Sequence, residues 1–194
     1  MSHLVDRGTN VLMMIERRLW NVWRKHLPRE LVNRLMKSQV IHVFDGDIEK
    51  ANLGLSRAQT KELQANIQFV VHSASSINLR AKLGRLLSPI VEATLSVADF
   101  ASGCEHLERF VYVSTAYSNA NLHDPRQPKE VLIEERVYPL EDESSDSPED
   151  ELAEAQKHGI VAEAHGFPFA YGYAKHLTER LLLELFDATP VRCH

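Results

Sequence analysis

Three short apolar runs separated by helical patterns constrain the fold of this chain more than any other feature. The runs are Val40–Phe44, Ile67–Val71 and Phe110–Val113. Each is too short for an ordinary helix, and each is bounded by polar or small residues, as buried strands are. Strands that alternate with helices are typical of a parallel sheet covered on both faces. The pattern therefore predicts an α/β fold with a parallel sheet.

The helical patterns between these runs carry recognisable start signals. Ser56 opens the first pattern, and Gln59 stands at the third helical position, where it completes a capping box. The second pattern extends over Leu83–Ala101, and Pro89 is expected to interrupt or restart it.

The N-terminal region predicts two further helices. Val11–His26 has apolar residues at helical spacing against a basic face, and Pro28 separates it from a shorter helix that ends near Met36. Packing against the protein's own sheet is the favoured interpretation of the first helix. The alternative is peripheral contact with a membrane surface, because a basic amphipathic helix with two tryptophans can lie in that interface.

Ligands of open α/β sheets collect beyond the carboxyl ends of the strands, so the residues that follow each run are candidates for a site. After the first run, the Asp-Gly-Asp-Ile sequence could meet an adenine ring or form a plain turn. After the second, small residues could let a cofactor lie across the strand or simply pack closely. After the third, two hydroxyls could polarise a carbonyl oxygen or cap the next element. The candidates are Asp47, Ile48, His72, Ser73, Ala74, Ser114 and Thr115.

Tyr171 and Lys175 lie four residues apart in a helical pattern that ends near Phe186, so they project from one face of that helix. A neighbouring ammonium favours the phenolate form of a phenol, which makes the pair able to exchange a proton near neutral pH. An ordinary exposed helix is the competing interpretation. An apolar stripe is expected to hold this helix to a core: Ala174, Leu177, Leu181 and Leu185.

These four sites occur in the order and at the places typical of an extended short-chain dehydrogenase/reductase. More closely, the chain resembles the NAD(P)-binding reductase domain of the fatty acyl-CoA reductases, which is related to thioester reductase domains. The resemblance covers about Leu4 to Arg192 and is carried by these segments: the text from Asp45 to Ser56 with its Asn-Leu-Gly-Leu-Ser end, Val70–Ser75, Phe110–Asn119 and Glu134–Pro139.

The resemblance implies a Rossmann-like doubly wound fold and NADPH-dependent reduction of a long-chain acyl thioester to an aldehyde or fatty alcohol. It implies that Tyr171 is the proton donor, that Lys175 assists it and holds the ribose, and that Thr115, seconded by Ser114, polarises the carbonyl. The implied cofactor-binding residues are Asp47, Ile48, His72, Ser73, Ala74 and Lys175. The partner is a long-chain acyl-CoA or acyl thioester.

The departures from the family pattern leave two alternatives open. The Gly-rich turn that opens the family is not found, so the first βα unit is expected to be missing, and the family's helix asparagine is Ile90 here. The chain is expected to be truncated at both ends, as a partial copy of a reductase. One alternative is therefore a catalytically inactive interaction domain. The other is a sugar-nucleotide epimerase or dehydratase, which shares the Tyr, Lys and Ser/Thr residues.

Composition sets the remaining expectations. The 194 residues are expected to form one domain, with a solvated, mobile insertion at 141–151, where acidic residues dominate. A net charge of −5 gives no argument for a nucleic-acid partner. Two cysteines and ten histidines show no metal-ligand spacing, and a reduced, cytoplasmic setting is expected. Peripheral contact with the endoplasmic reticulum or peroxisome is the membrane alternative.

Overall fold

The computed structural model describes residues 20–37, 42–122, 134, 136–140, 147–159, 166–187 and 192–193. The chain divides into two compact units, Met1–Gly46 and Asp47–His194. In the first unit, residues 20–26 are helical, and helix α1 (Arg29–Lys37) follows Pro28, as the sequence predicts. Val32 is buried in this unit. Residues 11–19 of the predicted first helix lie outside the described residues.

The second unit contains a parallel sheet of three strands in the order β1-β2-β3. They are β1 (Phe69–His72), β2 (Arg109–Tyr112) and β3 (Arg192–Cys193). Val70 is registered with Phe110, and His72 with Tyr112. Two of the three predicted strands are therefore confirmed, with boundaries shifted by one or two residues, and the α/β fold with a parallel sheet is confirmed. Strand β3 was not predicted.

The predicted strand Val40–Phe44 is wrong where the structure describes it. Val40 and Ile41 lie outside the described residues, and His42–Phe44 have no regular secondary structure. A strand forms by pairing its backbone with a neighbouring strand. The described part of the sheet has no pairing with His42–Phe44, so an apolar sequence alone does not make these residues a strand.

The helices of the second unit follow their predicted signals closely. Helix α2 (Arg57–Asn66) begins at the predicted capping box, in which both Ser56 and Gln59 take part. The pattern predicted over Leu83–Ala101 is a 3₁₀ turn (Leu83–Arg85), a π-helix (Leu87–Glu92) and helix α3 (Ala93–Ser102). Pro89 lies in the π-helical part. A proline has no backbone N–H to donate, so the regular α-helical hydrogen bonds are interrupted there.

Two helices complete the described part of this unit: α4 (Pro148–His158) and α5 (Ala170–Asp187). The end of the acidic stretch, Pro148–Glu151, is the first turn of α4, so the prediction of a solvated loop is wrong for these four residues. Ser147 caps this helix, and acidic residues in its first turn suit the positive end of the helix dipole. Residues 141–146 lie outside the described part of the chain.

Helices α3 and α5 cover one face of the sheet. Phe110 of β2 is fully buried and packs against residues of both helices: Val97, Ala98, Ala101, Leu182 and Phe186. Phe69 and Val71 alternate to the opposite face and are 58% and 66% exposed. Among the residues that the structure describes, the sheet is therefore covered on one face, whereas the sequence predicted cover on both.

Candidate active site

Lys175 of α5 is buried against the carboxyl end of β2. Its side chain is 1% exposed, and its ammonium group donates a hydrogen bond of 3.3 Å to the Val113 carbonyl oxygen. The same group lies 4.7 Å from the centroid of the Tyr112 ring, which attracts a cation through its face. Burial lowers the pKa of Lys175, and the negative charge of Glu179 opposes that shift.

Tyr171 lies one helical turn before Lys175 and is also buried, with 7% of its surface exposed. It belongs to the apolar core formed by α5 and the π-helical segment, which includes Phe167 and Ala174. Its phenol lies close enough to Tyr112 to contribute to the raised pKa of that residue, although burial is the main cause. The predicted exposed-helix alternative for Tyr171 and Lys175 is therefore wrong. In the predicted stripe, Leu185 is 39% exposed, while the other three residues are buried.

The segment that follows β2 carries both predicted hydroxyls. The Ser114 hydroxyl donates to Glu179 Oε1, so its proton points to α5. Thr115 Oγ1 accepts a hydrogen bond of 3.3 Å from the Tyr117 backbone N–H in a local turn. The hydroxyl proton of Thr115 is not used in that bond. Tyr117 also packs edge-to-face on Phe169, just before α5 begins.

Gly172 allows this segment to lie against the first turn of α5. A Cβ atom at Gly172 would come within 2.7 Å of the Tyr117 carbonyl oxygen, which is closer than real side chains approach backbone oxygen atoms. The absence of a side chain between Tyr171 and Tyr173 therefore brings the Thr115 turn and the start of α5 together. The structure thus gathers Ser114, Thr115, Tyr171 and Lys175 around the junction of β2 and α5.

His72 is the last residue of β1. It belongs to the predicted cofactor-binding residues and lies close to the residues at the junction of β2 and α5. It is 4% exposed, stacks on Tyr112 with ring centroids 5.8 Å apart, and has its Nε2 atom 3.0 Å from Thr94 Oγ1. Because the Thr94 hydroxyl donates its proton to the Ile90 carbonyl oxygen, it accepts from His72, which places a proton on Nε2. Burial, aided by the charge of Lys175, lowers the pKa of His72.

An open groove of about 420 Å³ lies along β1, and four predicted cofactor-binding residues line it. They are Ile48, His72, Ser73 and Ala74. The rest of the lining is mostly apolar and includes Leu53, Val97 and Phe100. We call this surface the β1 groove. Next to it, the hydroxyl oxygen of Ser75 is buried and has no hydrogen-bond partner among the described residues.

Asp47 is also a predicted cofactor-binding residue, but it does not line the β1 groove. Its carboxylate accepts from the Glu49 backbone N–H at 3.1 Å and pairs with Lys50 at 3.1 Å. These two contacts, the backbone donor first, lower its pKa. Asp47 thus stabilises its own turn, while the next residue, Ile48, faces the groove.

The Asn-Leu-Gly segment of the motif quoted above forms a left-handed turn. Asn52, Leu53 and Gly54 have φ angles of 51°, 57° and 68°. Positive φ is unusual for leucine and costs on the order of 1–3 kcal/mol. The Leu53 carbonyl oxygen accepts from the Asp47 backbone N–H at 2.8 Å, and a Cβ atom at Gly54 would come within 3.0 Å of that nitrogen. The turn orders the Asp47–Ile48 loop and places Leu53 in the groove.

Sequence reasoning missed several residues that hold the site together. Glu179 lies four residues after Lys175, so the same spacing that pairs Tyr171 with Lys175 was a usable signal. Glu151 of α4 makes a bidentate ion pair with Arg180 of α5, at 2.7 and 2.9 Å, and accepts from the Tyr173 hydroxyl at 3.1 Å. No sequence signal identified this pair, because its two members are far apart in the chain and Glu151 stands in an acidic run.

The described part of the chain has no group of three or more side chains arranged to hold a metal ion. Within those same residues, no helix is long and apolar enough to cross a membrane.

The chain is similar to known proteins in sequence and in fold. Residues 10–194 match the model of an NAD-binding family described as Male sterility protein. Fatty acyl-CoA reductase 1 of Arabidopsis thaliana is 26% identical over 191 residues, which cover 89% of this chain and 39% of that protein. Fatty acyl-CoA reductase wat of Drosophila melanogaster is 25% identical over 154 residues, or 78% and 28% of the two chains.

Among solved structures, the reductase domain of a nonribosomal peptide synthetase from Mycobacterium tuberculosis is similar in fold. Its TM-score is 0.51 at 24% identity, over 92% of this chain and 37% of that one. The chain spans about a third of the length of the curated relatives it matches. The predicted resemblance and the Rossmann-like fold are confirmed. Because the family model covers most of the sequence, the chain belongs to the male sterility family of NAD-binding domains, with fatty acyl-CoA reductases among its relatives.

Proposed function

We propose that this protein takes part in NADPH-dependent reduction of a long-chain acyl thioester. The observation that carries the proposal is the junction of β2 and α5. There Tyr171 and Lys175 are buried one turn apart on α5, and the segment with Ser114 and Thr115 follows β2. A phenol, an ammonium and a hydroxyl at one place are the groups that carbonyl reduction requires. The relatives named fatty acyl-CoA reductases support an acyl-CoA as the substrate.

The β1 groove fits the nicotinamide cofactor that the family implies. Its apolar walls suit the flat faces of aromatic rings, and His72 and Ser73 add polar groups at its end. The unpartnered hydroxyl of Ser75 is a buried polar atom that a ligand could satisfy. Ile48, His72, Ser73 and Ala74 would hold the cofactor, and Lys175 would meet its ribose. When bound, NADPH supplies the hydride.

The chain's own residues would handle the carbonyl oxygen and the proton. Thr115 would donate a hydrogen bond to that oxygen, because its hydroxyl accepts, rather than donates, in the local turn. Tyr171 would give its phenolic proton as negative charge develops on the oxygen. Lys175 would stabilise the tyrosine oxygen after the proton has left. Burial of both side chains excludes water, which strengthens each of these interactions.

The test is hexadecanoyl-CoA-dependent oxidation of NADPH by the wild-type chain and its Tyr171→Phe variant. The substitution keeps the ring and its packing but removes the proton. We expect turnover to fall by about 10²–10⁴-fold, while NADPH affinity, measured by fluorescence titration, stays nearly unchanged because the phenol acts in the transition state. Near-normal turnover in the variant would show that the helix has no catalytic role.

Two further variants separate the roles. Thr115→Ala should lose about 2–4 kcal/mol of transition-state stabilisation, through the loss of one donor to the carbonyl oxygen. Lys175→Ala should weaken both turnover and cofactor binding, because the ammonium serves the phenol and the ribose together. A Lys175→Ala variant with unchanged cofactor affinity would remove the ribose contact from this scheme.

The other two functions considered from the sequence make different predictions. A sugar-nucleotide epimerase or dehydratase would bind a nucleoside diphosphate sugar, which the same titration can test. A non-catalytic interaction domain would leave NADPH unbound. The apolar walls of the β1 groove and the buried phenol and ammonium favour an enzyme over an interaction domain. The relatives named fatty acyl-CoA reductases favour the reductase over the epimerase or dehydratase.

A cytoplasmic location with peripheral membrane contact is part of this proposal. In the first unit, Val22 is 54% exposed and Arg24 and Lys25 are exposed beside it. Sedimentation with vesicles of phosphatidylcholine and phosphatidylserine tests the contact, and a Val22→Asp variant should release the chain from the pellet. Equal sedimentation of both proteins would argue against this helix as the contact.

A further inference from the structure

We propose that Glu179 is a positioning residue of the active site, which stabilises the Lys175 ammonium and holds the Ser114 hydroxyl at the end of β2. The inference rests on the proposed function, because it assigns a role within the same site. It goes beyond that function because Glu179 belongs to neither the proposed catalytic residues nor the proposed cofactor-binding residues.

The geometry joins two consecutive residues of one segment to two positions one turn apart on α5. The Lys175 ammonium donates to the Val113 carbonyl oxygen at 3.3 Å, and the Ser114 hydroxyl donates to Glu179 Oε1. Residues four apart on a helix lie on the same face. The two hydrogen bonds therefore lie side by side between α5 and the segment that follows β2, and they fix the position of Lys175 relative to the end of β2.

The charges around Lys175 explain why Glu179 matters. The groups that interact with the ammonium are His72 from β1, Tyr112 from β2 and Glu179 from α5. Burial lowers the pKa of Lys175, and the carboxylate of Glu179 raises it again. Burial raises the pKa of Glu179, and hydrogen bonding to Ser114 and Ser118 and the charge of Lys175 lower it. Each member of the pair thus favours the charged form of the other.

The same arrangement divides the work of the two hydroxyls. The proton of Ser114 is used in the bond to Glu179, whereas the acceptor role of Thr115 in its turn leaves its proton available. Ser114 therefore acts through Glu179 and Lys175, and Thr115 is the donor to the carbonyl oxygen. This assigns different consequences to the loss of each hydroxyl.

The direct test is a pH titration of Lys175, monitored by ¹³C NMR of the chain with labelled lysine side chains. A Lys175→Arg variant, which lacks that signal, assigns it to Lys175. In Glu179→Gln, we expect the midpoint of Lys175 to move to lower pH, because the variant lacks the negative charge that raises the pKa of Lys175. Glu179→Asp should restore part of the difference. An unchanged midpoint in a folded Glu179→Gln variant would overturn the proposal.

Ser114→Ala keeps the test decisive if Glu179→Gln does not fold. Without the serine bond, Glu179 loses a donor that favours its carboxylate, so the midpoint of Lys175 should fall by less than in Glu179→Gln but in the same direction. An unchanged midpoint in Ser114→Ala would then count against the pairing. Circular dichroism spectra and thermal unfolding establish that each variant is folded.

Activity separates the failure of this inference from the failure of the proposed function. In an active chain, Glu179→Gln should shift the pH profile of kcat for hexadecanoyl-CoA reduction in the direction of the NMR midpoint, and Glu179→Asp should partly restore it. A shifted midpoint in a chain without reductase activity would support the pairing and count against the reductase. An active chain whose midpoint does not respond to Glu179 would overturn only the pairing.

Discussion

The junction of β2 with α5 and the β1 groove are built on opposite principles. At the junction, Lys175 is buried and bonded to a backbone carbonyl, and Ser114 is bonded to Glu179. Along the groove, the surface is mostly apolar and open, and Phe69 and Val71 of β1 are more than half exposed. His72 lies between them, since it ends β1 and feels the charge of Lys175.

The difference separates preorganised chemistry from adaptable binding. Groups that stabilise charge in a transition state are most effective when their neighbours already hold them in place, because no reorganisation is then needed. Apolar walls, by contrast, gain their free energy from removing surface from water, and that term is not directional. The junction should therefore be sensitive to single polar substitutions, and the groove should respond mainly to the presence of its ligand.

The largest expected effect is on the ion pair that fixes α5. Glu151→Ala removes both carboxylate oxygens from the largely buried Arg180 guanidinium and one partner from the Tyr173 hydroxyl. Breaking a buried pair by removing one member leaves an uncompensated charge and costs about 3–5 kcal/mol. Urea unfolding should show this loss of stability, together with reduced turnover because α5 carries Tyr171 and Lys175.

Glu154→Ala is the matched control on the same helix. Glu154 pairs with His158 at 3.7 Å, and both side chains are more than half exposed. Exposed pairs contribute little, at about 0–1 kcal/mol. If the two variants lose similar amounts of stability, the ion pair of Glu151 does not hold the junction as described.

Local sequence signals predicted much of the fold and the candidate site. The capping box of α2, the strands β1 and β2, and the helix of Tyr171 and Lys175 all depend on neighbours within a few residues, and spacing reveals such dependence. The candidate residues at the strand ends followed from one topological rule, that parallel strands place their carboxyl ends together.

The features that sequence reasoning missed depend on partners far along the chain. An apolar run such as Val40–Phe44 becomes a strand only where another strand accepts its hydrogen bonds, and no sequence pattern states that partner. Glu151 stands in an acidic run whose composition indicates solvent, yet Arg180, 29 residues later, makes it a buried ion-pair member. The single-sided cover of the described sheet is likewise a property of packing rather than of any one segment.

His72 tests the boundary between the two regions by pH. Lys175 and Tyr112 face it, and burial lowers its pKa below the ordinary ~6.5. As the pH falls below about 6.5, the unfolded chain takes up a proton before the folded chain does, so stability declines until the folded imidazole is also protonated. Each unit of lowering corresponds to about 1.4 kcal/mol of stability lost at low pH.

The measurement is urea unfolding between pH 7 and pH 5 for the wild type and for His72→Gln, which cannot titrate but can still donate to Thr94. As the pH falls, we expect the free energy of unfolding of the wild type to decrease more than that of His72→Gln. Glu179, whose pKa is raised by burial, acts with the opposite sign and is present in both proteins. His106→Gln, at an exposed position, should follow the wild-type curve. Parallel curves for wild type and His72→Gln would contradict the prediction.

The smallest expected effect compares two serine caps, one in each region. Ser56 caps α2, which has no buried residue, and Ser147 caps α4, which the Glu151 ion pair joins to α5. Replacing either serine with alanine should cost its helix about 1 kcal/mol.

For Ser56→Ala we expect roughly fivefold faster hydrogen exchange in α2 with little change in global unfolding, because α2 can fray alone. For Ser147→Ala the same loss should appear in the global transition, because α4 cannot open without breaking the buried pair. Equal effects of the two substitutions on global unfolding would show that both regions unfold as one cooperative unit, and that the contrast between a fixed junction and a loosely held groove side does not extend to their stability.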